Sequence, residues 1–162
     1  MAIASRKLID ALRATASRVQ TGVRYEWGHM AHCNCGHLIQ TVTEQDGTEV
    51  AKVVQHHLLE WTEHARDYCP NSGHAVEDLF RALADIGFGR QDVVNLEKLS
   101  DPLVSNHIGR DTHLQRNRRE DLVIYLNALA DVLEGQMEEP EKVKAMQRAA
   151  GQESPAQVVA NA

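Results

Sequence analysis

Apolar residues three and four positions apart dominate the chain, the spacing of helices that bury one face. In the first twenty residues Ile9, Leu12 and Val19 keep that period, with Ala and Arg between them. A second helix is predicted over 26–43 and a third over 48–68, with Asp46-Gly47 as the turn between them. The same Asp-Gly pair suits a hairpin joining 40–43 to 49–54. Val50, Val53, Val54, Leu58, Trp61 and Ala65 follow the helical period better, so the helix is preferred. Pro70 cannot continue a helix interior and closes the third helix. Val76, Leu79, Phe80 and Leu83 mark a fourth that ends near Gly87, and a short fifth spans 93–99. Ser100-Asp101-Pro102 sets a capping residue before a proline and starts another short helix, which Gly109 breaks.

The longest helix is predicted over 111–134, with Leu114, Leu122, Leu126, Leu129 and Leu133 on one face. Beyond Gly135 the apolar pattern fades into sequence rich in Glu, Gln, Ala and Ser. That composition predicts a largely disordered tail over 136–162, with an amphipathic turn or two around 143–149. The expected architecture is all-α: a single-domain helical bundle over 1–135, of about four long and two short helices, followed by the tail.

Composition narrows the classes of function. A chain of 162 residues is long enough for one domain with a proper core, and 43% hydrophobic with 25% charged residues is globular composition. No apolar run approaches the roughly 18–20 residues that span a bilayer. A net charge of −6 disfavours nonspecific binding to nucleic acid or an anionic membrane. Aromatic residues, at 4%, are too few for platforms that stack bases or sugars. The N-terminus is basic and bears Ala and Ser, as transit peptides do, but its leucine spacing fits an ordinary first helix. Three cysteines, an odd number, exclude a complete disulfide framework within one chain. Thiols in a reducing cytoplasm are the simpler expectation. Neither nucleic acid nor membrane is expected as a partner. A small-molecule substrate stays undefined and assembly of identical chains stays open.

The chemistry lies in the nine histidines and three cysteines, most of which fall between Trp27 and His74. Imidazole and thiolate are the side chains that best bind borderline and soft transition metals. On the predicted third helix His57 and His64 share the stripe of Val50, Val53, Trp61 and Tyr68, and Glu60 borders it. Seven residues separate the two histidines by roughly 10 Å along a helix axis. One ion would need Glu60 between them; otherwise the set suits a dinuclear site. The plain alternative is that each is a neutral core histidine. His56 points elsewhere and is expected in solvent.

On the predicted second helix Glu26, His29, Cys33, His37, Gln40 and Glu44 form one row, opposite Trp27, Ala31, Leu38, Ile39 and Val42. If the aliphatic side is the core, the His/Cys row faces water. If the helix is sandwiched, His29, Cys33 and His37 become ligands. Glu26-x-x-His29 matches half of a di-iron motif, but the chain holds no second copy. In an unbroken helix Cys33 and Cys35 point about 200° apart and do not share an ion. Gly36 permits another conformation, a tight turn presenting both sulfurs before a helix that begins at His37. Cys69, next to Pro70, would then supply a third sulfur, completing a Cys₃His zinc set or an iron–sulfur cluster with one other ligand. Against this stand a structural Cys35 and a reversible disulfide of Cys33 or Cys35 with Cys69. The absence of Cys-x₂-Cys spacing argues against a zinc finger.

Residues 110–121 are locally basic. Arg118 shares the line of Leu114 and Leu122 and is expected half-buried; Arg116 and Arg119 would form a cationic patch, or simply a solvated helix face. The chain has no Gly-rich phosphate loop, Gly-x-Ser-x-Gly, His-Glu-x-x-His or EF-hand loop. The leading expectation is a cytoplasmic bundle that binds a transition metal: iron (mononuclear, dinuclear or iron–sulfur) or zinc. Its ligands are drawn from His29, Cys33, Cys35, His37, His57, Glu60, His64 and Cys69, a mixed set suited to redox or oxygen chemistry. The alternative is a metal-free interaction module that uses the Leu122–Leu133 face and the acidic tail.

Overall fold

The computed structural model describes residues 2–29, 31–54, 74–109 and 111–152. Their regular structure is entirely helical: α1 (Arg6–Gln20), α2 (Asn34–Thr43), α3 (Gly47–Val54), α4 (His74–Asp85), α5 (Arg90–Lys98), α6 (Pro102–Ile108) and α7 (Arg119–Gln152). The all-α expectation holds. Residues 40–43 and 49–54 belong to α2 and α3, so the hairpin does not form. None of the described helices is long and apolar enough to cross a membrane.

Ser5 starts α1: its hydroxyl oxygen accepts the Leu8 N–H at 3.1 Å and its O–H donates to the Ile86 carbonyl at 2.8 Å. The helix buries Leu8, Ile9, Leu12, Ala16 and Val19, and its chief partner is α7. From α7, Leu122, Tyr125, Leu126, Leu129 and Leu133 are buried in the same core. Each such side chain contributes about 1.5–3 kcal/mol on leaving water. Arg6–Glu134 at 2.7 Å and Arg13–Asp131 at 3.1 Å flank this seam. They are solvent-exposed pairs, screened by water and of little weight for stability.

Polar contacts fix α2 against α1. The Arg18 guanidinium donates to the His37 carbonyl at 2.7 Å and to Gln40 Oε1 at 3.1 Å, and the Thr15 and Thr41 hydroxyls meet at 2.8 Å. The Gln40 amide in turn donates to the Ala31 carbonyl and holds the preceding turn onto the helix.

Three boundaries differ from expectation, each for a local reason. The helix predicted over 26–43 begins only at Asn34. Gly28 has φ +92°, left-handed backbone that a right-handed helix cannot contain. Around it His29 N–H bonds to the Glu26 carbonyl at 3.1 Å. The His32 and Cys33 N–H groups both reach the His29 carbonyl at 2.8 Å, so turns and not a helix lead into Asn34. At the other end, α7 starts at Arg119 instead of 111. Asp121, in the first turn of α7, turns back to accept the Gln115 N–H at 2.7 Å and ties the irregular segment 111–118 to the helix start. The helix then runs past Gly135 to Gln152, so residues 136–152, expected within a disordered tail, are helical. Low hydrophobicity suggested disorder there, but the Glu, Gln, Lys, Met and Ala of that stretch are strong helix formers.

The Asp46-Gly47 turn is also the start of α3. Asp46 Oδ1 accepts the Thr48 and Glu49 N–H groups at 2.7 and 2.9 Å, while Glu49 Oε2 accepts the Asp46 N–H at 2.8 Å, a reciprocal cap. The remainder of the predicted third helix lies outside the described residues. Asp101 caps α6 as its sequence suggests, accepting the Leu103 N–H at 2.9 Å, and Pro102 takes the first helical position.

Candidate metal centre

Cys33 is the N-cap of α2, with extended backbone at φ −77° and ψ −179°. That single non-helical residue cancels the 200° rotation expected between the two cysteines. The Cys33 and Cys35 sulfurs consequently lie 3.6 Å apart. The tight turn expected over Cys33-Asn34-Cys35-Gly36 does not form: Asn34, Cys35 and Gly36 are already helical, and only Cys33 stands before the helix.

The first N–H groups of a helix have no partner within it, and here they point into the cysteine pair and its neighbour. The Cys35 N–H donates to Glu97 Oε2 on α5 at 3.0 Å, and the Gly36 N–H faces the Cys33 sulfur. Cys33, Cys35 and Glu97 are 2%, 0% and 5% exposed. Their sulfurs and a carboxylate oxygen all lie within 4.8 Å of one another. Burial pushes the Cys33 thiol up and the Cys35 thiol well up, and the nearby Glu97 carboxylate acts in the same direction. Without a cation both thiols keep their protons.

Between the two cysteines, Asn34 is fully buried. Its amide nitrogen lies 3.2 Å from the Leu96 carbonyl, 3.2 Å from the Glu97 carbonyl and 3.3 Å from the Arg116 carbonyl. Its Oδ1 lies 2.8 Å from the Tyr25 hydroxyl, which is also 2.7 Å from the Arg116 carbonyl. Burial raises the Tyr25 pKa, keeping that hydroxyl a donor.

The sulfur spacing bears directly on chemistry. A disulfide requires about 2.0 Å. Two thiolates bound at about 2.3 Å to one tetrahedral zinc stand about 3.8 Å apart, close to what is found here.

The expected ligands divide. Cys33 and Cys35 come together, joined by Glu97, which the sequence reading did not single out. The signal was present: Glu97 stands three and four residues after Val94 and Val93, on the buried side of α5. His29 and His37 do not join the thiols. Among the described residues, Cys33, Cys35 and Glu97 form the one set of three such donors within 4.8 Å.

His37 is 1% exposed. Its ring stacks on Tyr25 at 6.0 Å and is tilted against His32 at 6.2 Å. Burial, with Arg18 and His32 nearby, lowers its pKa to about 4, so it is neutral. His29 stacks on His32 at 4.7 Å. The row Glu26, His29, Cys33, His37 therefore does not exist as a helix face, because the helix begins only at Asn34. Neither side of α2 faces water alone: Asn34 through Gln40 are all buried. His57, Glu60, His64 and Cys69 lie outside the described residues.

The basic segment is dispersed instead of gathered. The Arg116 guanidinium lies 4.2 Å over the Trp27 ring, a cation–π contact worth about 0.5–1 kcal/mol at an exposed site. Arg119 donates to the Val19 carbonyl at the end of α1 at 3.3 Å. Arg118, expected half-buried, is exposed.

No protein-family profile, curated protein or solved structure matches this chain.

Proposed function

We propose that the protein binds a divalent transition-metal ion, zinc by its donor chemistry, through Cys33, Cys35 and Glu97. The observation that carries this reading is the convergence of two thiols 3.6 Å apart and a carboxylate in a buried spot between α2 and α5. Two soft sulfurs with one hard oxygen suit zinc, which accepts Cys and Glu together. Calcium and magnesium prefer all-oxygen shells. An iron–sulfur cluster draws on about four cysteines, whereas the chain has three and this site gathers two. Bound there, the ion would tie the start of α2 to α5. Its positive charge would displace the two thiol protons and offset two of the three buried negative charges.

Metal analysis of protein purified without a histidine tag tests the reading. Stoichiometric zinc is expected in the wild type and in His56→Ala, with loss in Cys33→Ser and Cys35→Ser. A protein that takes up no metal, and melts at the same temperature in chelator, would instead favour a metal-free interaction module.

A further inference from the structure

We infer that Asn34, held by Tyr25, is the positioning residue that sets the three donors in place; this rests on the metal-binding reading above. Asn34 sits between the two thiol-bearing residues, so its main chain determines where both sulfurs start. Its side chain grips the far side of the site, with the amide nitrogen at 3.2 Å from both the Leu96 and Glu97 carbonyls. Those carbonyls belong to the last turn of α5, and that of Leu96 also accepts the Leu99 N–H at 3.3 Å. The adjacent Cys35 N–H reaches the carboxylate of the same Glu97 at 3.0 Å. One dipeptide thus holds Glu97 twice, once by its backbone and once by its side chain.

The amide orientation is fixed as well. Asn34 Oδ1 faces the Tyr25 hydroxyl at 2.8 Å. The nitrogen end is surrounded by three carbonyls, including that of Arg116 at 3.3 Å. A leucine of similar size would remove the donor that these carbonyls face, and an aspartate would set an anion against them. All these ties are between protein groups.

The test compares zinc affinity by chelator competition, and the cobalt(II) spectrum, across four full-length proteins. Asn34→Ala is expected to bind zinc about 10–100-fold more weakly than wild type, the usual loss when a group orienting a ligand is removed. Its cobalt–thiolate charge-transfer band should also shift. Leu133→Ala, a core truncation some 20 Å along α7 from its start, controls for destabilisation and should keep wild-type affinity and spectrum. Tyr25→Phe, which removes one hydroxyl and keeps the ring, should weaken zinc binding several-fold and serves if Asn34→Ala does not fold. Wild-type affinity in Asn34→Ala or in Tyr25→Phe, or an equal loss in Leu133→Ala, would overturn the inference while leaving the metal site standing. A wild type that takes up no zinc would remove both.

Discussion

The main-chain N–H of Cys35 donates to the side-chain carboxylate of Glu97 across 3.0 Å, joining the first turn of α2 to the last turn of α5. This bond makes Glu97 structural as well as a candidate ligand, and the two roles separate by substitution. Glu97→Gln keeps an oxygen for the Cys35 N–H but loses the charge. It should fold with near-wild-type stability in the metal-free state and lose zinc affinity. Glu97→Ala also leaves that buried N–H unpaired, at a cost of about 1–3 kcal/mol. Chemical denaturation of both variants in chelator, beside zinc titrations, distinguishes them.

Zinc affinity should depend steeply on pH. Burial raises both thiols above the ordinary cysteine range, so between pH 6 and 8 the metal-free site holds both protons. Each ion bound then releases two protons, and affinity should rise by up to about 100-fold per pH unit. Isothermal titration in buffers of different ionisation enthalpy counts those protons. Release of fewer than one would contradict two-thiolate ligation.

His37 sets a separate pH dependence of stability. Its pKa falls from an ordinary 6.5 to about 4 on folding because the ring is buried, with Arg18 and His32 adding to the shift. The unfolded chain therefore binds the proton first as pH falls. The stability involved is fully present above pH 6.5 and is lost between 6.5 and about 4, a loss on the order of 3 kcal/mol. Metal-free His37→Gln should show a correspondingly flatter stability profile across that window, measured by denaturant midpoints.

Gly28 should resist replacement for a backbone reason alone. Nothing lies within 4 Å of where its Cβ would stand, yet φ is +92°. Gly28→Ala should therefore cost about 1–2 kcal/mol of strain without any clash. It should act on the turns that deliver Cys33 to the cap of α2. A melting temperature equal to wild type would show that the turn adopts another conformation at no cost.

Much of the fold was legible because helical periodicity and capping chemistry act locally. Asp101-Pro102 marked the start of α6, and Leu79 and Leu83, four residues apart and both buried, marked the inner face of α4. What was not legible depended on single backbone torsions and on contacts across the chain. The apolar period through 26–43 hid the turn at Gly28, so the cysteines seemed to diverge when an extended Cys33 in fact brings their sulfurs together. Glu97 is 62 residues from Cys35 in sequence, and no spacing rule connects them. The abundance of histidine drew attention to His29 and His37, which pack against aromatic and imidazole rings. Asn34, an ordinary polar residue in sequence, has its role set by the three carbonyls that the fold places around it.

X-ray absorption at the zinc edge of the stoichiometrically loaded protein reads the donor atoms themselves. The expected shell contains two sulfurs at about 2.3 Å with oxygen at about 2.0–2.2 Å, and loses one sulfur in Cys33→Ser reconstituted with excess zinc. A shell of nitrogen and oxygen alone, or one unchanged by that substitution, would contradict ligation by both cysteines.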